Sequence, residues 1–443
     1  MQKILLAIIS GLCCVLLFPS PTYAASKHLT LVYTGNLDGE LEPCGCSLEG
    51  DFGGLRRQAT MIDRLRKKKP HLFFISSGGF LRSESVHDRL TGEYILKGIN
   101  ALKYDAIGVQ WTDLAYGMDF IKADKLPWVA SNWNDAAFEA TRRITRNGKT
   151  IAFFNWIDPR ESPQRQMQAS HELTAAVTDD NAALLLSLEH AKQEGATTVL
   201  ATTLKLAEAQ QLFPLAHVDI LLVRSAYEKY AEPKKIGNTL VLQPGSRGMR
   251  MAELDVALNA NGTVKSWQHR IIPLPKTIPD AKRLAGWYKE YNARVKADYE
   301  KGVQLAKAAQ SGASPYAGEQ VCQTCHAAEH KIWQGSRHGH AYGTLRRVNK
   351  AFDPNCIICH TVGFNTPGGF IDDEATPHLS NVQCESCHGA AQAHATSGGT
   401  QPVANANWPR EKICAQCHTQ AHSPSFNLDV YWPKIQHKRA PKP

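Results

Sequence analysis

Four times near the C-terminus, two cysteines stand three positions apart with a histidine directly after the second. The motifs are Cys322-Gln323-Thr324-Cys325-His326, Cys356-Ile357-Ile358-Cys359-His360, Cys384-Glu385-Ser386-Cys387-His388 and Cys414-Ala415-Gln416-Cys417-His418. Two thiols at this spacing add to the two vinyl groups on one porphyrin edge, and the next imidazole reaches the iron. Zinc knuckles and redox dithiols also use paired cysteines, but neither needs a histidine after every pair. The pattern predicts four covalently bound haem c groups, with His326, His360, His388 and His418 as proximal iron ligands.

Each iron then needs a sixth ligand or keeps an open face. Seven further histidines lie in the same region: His330, His338, His340, His378, His394, His422 and His437. Four distal ligands at most are required. His338 and His340, which alternate between Trp333 and Tyr342, and His378 and His394, each near a motif, are the candidates. His330, four residues after His326, reads as a supporting or surface residue, while His422 and His437 stay open either way. No methionine follows Met251, so histidine ligation with low to moderate potentials is expected, not the raised potential of His/Met haems. Roughly 120 residues cannot build an ordinary core around four macrocycles. The porphyrins must themselves be the core, packed closely enough to pass electrons.

Further residues around the motifs carry a resemblance. Trp333 with Ser336-Arg337-His338, Phe352-Asp353-Pro354, Pro367-Gly368-Gly369-Phe370 and Thr376-Pro377-His378 resemble the cytochrome c-554 family of multihaem cytochromes. The resemblance runs from Tyr316 to about His437. It implies mostly bis-histidine haems packed in pairs, with room for one haem with an open position.

Upstream, short apolar runs alternate with helical stretches from His28 to about Ile272. The strand-like runs are His28–Thr34, Leu72–Ser76, Ala106–Val109, Trp128–Ser131, Ile151–Asn155, Thr197–Ala201, Ile220–Val223 and Leu240–Leu242. Leu55–Arg66 and Asn181–Gln193 are amphipathic helices between them. The Asn261-Gly262 turn joins Met251–Leu258 to Val264–Ile272 as a hairpin. Such alternation predicts an α/β domain over 28–275. Asp280–Ala309 reads as a long, mostly solvated helix inside a linker over 276–318, broken at Ser311–Pro315. The haem domain, small and mainly helical or irregular, is expected over 319–443.

The α/β part resembles the metallophosphatase domain of 5′-nucleotidases and of the related sulfur-oxidation thiosulfohydrolases. The matching residues are Leu31-Val32-Tyr33-Thr34, Leu37-Asp38-Gly39 and Gly53-Gly54-Leu55-Arg56-Arg57. Asn100 to Ala106, Tyr116-Gly117-Met118-Asp119-Phe120 and Leu242-Gln243-Pro244-Gly245 extend it. The resemblance implies a four-layer α/β/β/α sandwich carrying two metal ions at the strand ends. Its metal-binding elements depart from that pattern. Asn36 and Asp38 stand where an Asp-x-His belongs, Ser76-Ser77-Gly78-Gly79 replaces Asp-x-Gly-Asp, and Gln110-Trp111-Thr112-Asp113 replaces Gly-Asn-His-Glu. The histidines expected near Thr203 and near Arg224-Ser225-Ala226 are missing. Two divalent ions about 4 Å apart need several carboxylates and imidazoles, so no dinuclear metal centre is expected. Beside this centre, Cys44 and Cys46 flank Gly45. They form a reducible disulfide, a soft metal-binding pair, or two unremarkable loop thiols.

The N-terminus reads as an export signal over 1–24: Lys3, an apolar run from Ile4 to Phe18, and small residues before Ala25. The mature chain is then expected in the periplasm or otherwise outside the cytoplasm, and not as an integral membrane protein. Acidic and basic residues are interspersed under a formal net charge of +9, without the arginine-rich patch of a nucleic-acid binder. The expected function is electron transfer in a periplasmic or extracellular respiratory chain, with other cytochromes or quinol-linked membrane complexes as partners and the α/β domain as a docking or scaffold module. The alternatives are a haem oxidoreductase acting on a small nitrogen or sulfur compound, and a metal-dependent phosphoesterase.

Overall fold

The computed structural model describes residues 28–43, 51–133, 138–162, 177–224, 232–259, 262–419, 423 and 425–437. The expected signal segment, Cys44, Cys46, Ser225, Ala226, Asn261 and His422 lie outside these residues.

Among the described residues, twelve strands form two six-stranded sheets. The first has the order β12 (Val264–Pro273), β11 (Arg250–Leu258), β1 (His28–Thr34), β2 (Phe73–Ser76), β3 (Ala106–Gly108), β4 (Trp128–Val129). The second runs β5 (Arg142–Arg146), β6 (Lys149–Trp156), β7 (Thr197–Thr202), β8 (Ile220–Leu222), β10 (Thr239–Leu242), β9 (Lys234–Ile236). Leu31 of β1 pairs in parallel with Phe73 and antiparallel with Leu254. That register aims Leu31, Tyr33, Phe73, Ile75 and Leu254 at Phe153, Val199, Ile220 and Leu240, which form one buried cluster between the sheets. Strands buried on both faces need continuous apolar runs, which explains why the sequence shows runs and not alternation.

Helices cover both outer faces. On the first sheet lie α1 (Leu55–Lys68), α2 (Asp88–Leu102) and the short α3 (Met118–Lys122). In α1, Leu55, Ala59, Ile62 and Leu65 recur at helical spacing and are buried, while Arg66, Lys67 and Lys68 occupy the last turn, where cations suit the helix dipole. On the second sheet lie α4 (Ala182–Gln193) and α5 (Leu206–Leu212), through Leu184, Leu188 and Ala209. The result is the α/β/β/α sandwich that the resemblance implied.

The long helix α6 (Ala285–Ala309) is mostly exposed, as expected, and one face of it also serves as a strut. Tyr291 and Val295 are buried against the core under the first sheet, with Trp287 and Tyr288 packed alongside. Tyr94 Oη donates to Glu290 at 2.7 Å and Trp287 Nε1 donates to the Tyr94 carbonyl at 3.0 Å. Further along, Tyr299 Oη donates to the Ile371 carbonyl at 3.1 Å and Lys307 pairs with Asp372 at 2.8 Å. The ridge Trp287, Tyr291, Val295, Tyr299, Val303 has a spacing of four, and each such step turns about 40° around a helix. One stripe therefore swings from the α/β module to the C-terminal module along the length of the helix.

The C-terminal module is built of short helices: α7 (Glu319–Gln323), α8 (Ala327–Gln334), α9 (Ala341–Arg347), α10 (Pro354–His360), α11 (Cys384–His388), α12 (Gln392–Thr396), α13 (Arg410–Ala415) and α14 (Leu428–Tyr431). Its apolar cluster is small: Tyr342, Leu345, Ile357, Val362, Phe370 and Leu379. Buried polar side chains do much of the positioning. The Glu385 carboxylate accepts from the Ala317, Gly318 and Ala391 amides at 2.8 to 2.9 Å, joining α11 to the entry of α7. Gln383 accepts from the Glu319 amide at 2.8 Å and donates to the His378 and Ser380 carbonyls. No helix among the described residues is long and apolar enough to cross a membrane.

Candidate haem-binding site

Each Cys-x-x-Cys-His motif coils as a helical turn. The His326 amide donates to the Cys322 carbonyl at 2.9 Å, and the His418 amide does the same to Cys414 at 2.9 Å. Cys356, Cys359 and His360 lie on α10, and Cys384 to His388 is α11 itself. Residues three and four apart share a helix face, so the turn presents both thiols and the imidazole to one side. All eight cysteines are free of disulfides. Thiols of different motifs also meet: Cys322 lies against Cys384, Cys359 against Cys417, and Cys387 near Cys414. The first motif thus adjoins the third, the third the fourth, and the fourth the second.

Three motif histidines face a second histidine. His326 and His394 have ring centroids 6.2 Å apart, His338 and His418 6.1 Å, and His388 and His437 5.8 Å. Two metal–nitrogen bonds of about 2 Å and two half-rings sum to roughly 6 Å, so each gap suits one iron between two imidazoles. In His394 and His437 a backbone carbonyl engages the other ring nitrogen, which fixes Nε2 as the free ligand atom. The Nδ1 atoms of His394 and His437 hydrogen-bond to the Gln401 carbonyl at 2.6 Å and the Ile435 carbonyl at 3.1 Å, and that of His418 to Ser423 Oγ at 3.1 Å. Burial, helped by neighbouring imidazoles at His338 and His388, holds His338, His388 and His418 below the ordinary histidine value, in the neutral form a ligand needs. Exposed apolar side chains within or beside the motifs, Val321 and Ile358, offer surface for porphyrin faces. The residues present therefore fit haem c.

His360 is different. Its Nδ1 hydrogen-bonds to the Ala341 carbonyl at 2.8 Å, leaving Nε2 for an iron, yet no second histidine ring faces it among the described residues. Of the four candidate distal ligands, His338 and His394 are brought to motif histidines. His340 and His378 are exposed and face no motif histidine. His338 and His340 share a 3₁₀ turn, where residues two apart point in different directions, so one backbone path cannot serve both. His378 sits in another such turn beside Gly318. His330 is buried with Nε2 held by the Glu319 carboxylate, a supporting contact between α7 and α8. The pairing of His437 with His388 had no local signal in the sequence, because the two are joined only by the path of the intervening chain.

At the strand ends of the α/β module, the positions of the relatives' metal ligands form a closed amide network. Asn36 donates to Asp38 at 3.2 Å and Gln110 donates to Asn36 at 2.9 Å and to the Ser77 carbonyl at 2.9 Å. The Asp113 carboxylate, fully buried, accepts from the Gly79, Phe80 and Gln110 amides at 2.8, 2.6 and 3.0 Å. Burial pushes it up to about 6 against the pull of these amides. Gly79 has φ +77°, and a Cβ there would stand 2.5 Å from the Asn36 amide carbon. A carboxylate side chain at this position would not fit. Among the described residues no group of three or more His, Cys, Asp or Glu is placed to hold a metal.

Fold and site together describe a small helical module with four Cys-x-x-Cys-His turns, mounted on a metallophosphatase-like sandwich. The cytochrome c554 and c-prime family matches residues 321–389. The chain is similar to cytochrome c-554 of Nitrosomonas europaea, 27% identical over 136 residues, which is 24% of this chain and 58% of that protein. It is also similar to snake venom 5′-nucleotidase of Crotalus adamanteus, 28% identical over 91 residues, 19% of this chain and 16% of that one. The sandwich matches the solved 5′-nucleotidase precursor of Thermus thermophilus with TM-score 0.52 and 18% identity, covering 61% of this chain and 59% of that chain. It matches the sulfate thiohydrolase SoxB of the same organism with TM-score 0.50 and 16% identity, covering 62% of each. The chain thus spans less than two thirds of each of these relatives, and the structural likenesses establish the fold alone. The cytochrome c likeness implies covalently bound haem c and redox partners in general.

Proposed function

We propose that the chain is an exported tetrahaem c-type cytochrome that carries electrons between redox proteins outside the cytoplasm, with the sandwich as its scaffold and docking module. The observation that carries this reading is the set of three facing histidine pairs, each at the separation two ligands of one iron keep. Bound haem c supplies a one-electron iron couple at each motif. The protein's own residues hold neutral imidazoles in place, fix their tautomers through backbone carbonyls, and bring successive motifs side by side. His394, His338 and His437 are the proposed distal ligands of the first, fourth and third motifs. The apolar run from Ile4 to Phe18 supports export, and the likeness to cytochrome c-554 supports other cytochromes or quinol-linked membrane complexes as partners. A haem count with a potentiometric titration tests the reading. Four haems per chain titrating reversibly in several steps are expected, and fewer haems or irreversible reduction would sink it.

His360, which faces no second histidine ring among the described residues, favours a second reading for the same module, in which the second haem binds a small nitrogen or sulfur compound on its open side. Nitrite, hydroxylamine or sulfite should then shift a high-spin absorption band, and a spectrum indifferent to all three would remove this reading. Asn36, Asp38, Asp113 and Gly79 support no hydrolytic step.

A further inference from the structure

The two modules meet at a buried ionic cluster directly upstream of the second haem motif. Lys350 Nζ is bonded to the Glu42 carboxylate, donates to Asn292 Oδ1 at 2.8 Å and stands 3.5 Å from Asp353. Tyr288 Oη donates to the same Glu42 carboxylate. The ammonium lies 5.5 Å from the Tyr288 ring centroid, 5.8 Å from that of Tyr291 and 5.9 Å from that of Phe352, and Arg56 stacks on Tyr288 at 3.6 Å. The side chains of Lys350, Glu42 and Asp353 are 14%, 22% and 9% exposed. Each module therefore gives charge to one water-poor cluster: Glu42 from the sandwich, Lys350 and Asp353 from the haem module, with α6 between them.

Two features make this more than an adhesive contact. A buried ion pair is a poor source of net stability, because desolvation offsets most of the attraction. Phe352, packed against the sandwich core, already supplies apolar contact. The cluster is also tied to the motif: Asp353 is the N-cap of α10, accepting from the Asn355 amide at 3.1 Å, and α10 carries Cys356, Cys359 and His360. Charges held in a low-dielectric setting act strongly on a nearby redox centre. Glu42 also belongs to the loop after β1, the loop that carries Asn36 and Asp38. We propose that Glu42 and Lys350 are positioning residues for the second haem, so that the sandwich sets the electrostatics of that haem and of no other.

The proposal rests on the reading of residues 356–360 as a haem site. An ammonium favours the added electron and a carboxylate opposes it, which fixes the signs. In the full-length holoprotein, Lys350→Met should move one of the four reduction steps to lower potential and leave the other three. Glu42→Gln should move the same step to higher potential, and Lys350→Arg should restore it. Mass spectrometry of each variant separates the two ways to fail. A chain lacking the haem at Cys356 and Cys359 overturns the haem-site reading itself. Four attached haems with all steps unmoved, all moved together, or one step moved in the same direction by Lys350→Met and Glu42→Gln overturn the assignment of these two residues. The last outcome is what simple undocking would give.

Discussion

Phe73, Phe74, Phe153, Phe154 and Trp156 are among the largest fully buried side chains, and all lie in the sandwich. Three contiguous clusters fill its layers. Beyond residue 319 the described residues share one small cluster, seated on the second motif, while large apolar groups such as Val321, Ile358 and Val430 stay exposed. The sandwich buries enough apolar surface to fold on its own chain. The C-terminal module spends its residues on cysteines, histidines and polar side chains that position backbone, and needs its macrocycles as core. The residues of a site can thus change in a region that keeps its core, whereas in the other region site and core are the same thing.

The sharpest break of this contrast is to block haem attachment. Replacing all eight motif cysteines by serine should leave residues beyond about 315 degraded by protease, with the sandwich protected and its far-ultraviolet dichroism kept. Protection of both modules would contradict it. Next in size, His338→Ala, His394→Ala and His437→Ala should each convert one haem from low to high spin, while His340→Ala and His378→Ala leave the spin state unchanged in magnetic resonance spectra. In the sandwich, Phe153→Ala should cost about 3–5 kcal/mol in denaturant unfolding, with haem spectra intact. Asp113→Ala strands three buried amides and should cost about 3 kcal/mol.

The smallest effect concerns pH. Burial raises the Asp113 carboxyl to about 6, above its unfolded value, so its contribution is fully present below the unfolded value and is lost as pH rises through about 6. Relative to Asp113→Asn, the native sandwich should lose up to about 2 kcal/mol between pH 4 and pH 6. A difference that stays flat across this window would show that the three amides, not burial, govern the carboxylate.

Legibility in the sequence followed the same divide. Runs such as Thr197–Thr202 are buried at every residue, so continuous hydrophobicity marked them. Edge strands β5 and β9 escaped because Arg143, Lys234 and Lys235 are exposed there, as charged side chains are on exposed edges. The change at the relatives' metal positions was readable one residue at a time, from Asn36, Gly79 and Gln110. The network that closed over the gap was not, since it joins loops from three strands. Motif ligands were legible because their chemistry is local. Of the facing histidines, His338 and His394 were in view from the sequence, whereas His437 was not, because it meets His388 only through the fold.

The account's central claim is that four haems are attached and that three of them are held between facing histidines, His326 with His394, His418 with His338 and His388 with His437. Electron paramagnetic resonance of the oxidised holoprotein, scaled to a haem count, tests it most directly. The prediction is four haems per chain, at least three of them low-spin. Fewer than four haems, or fewer than three low-spin haems, would contradict it.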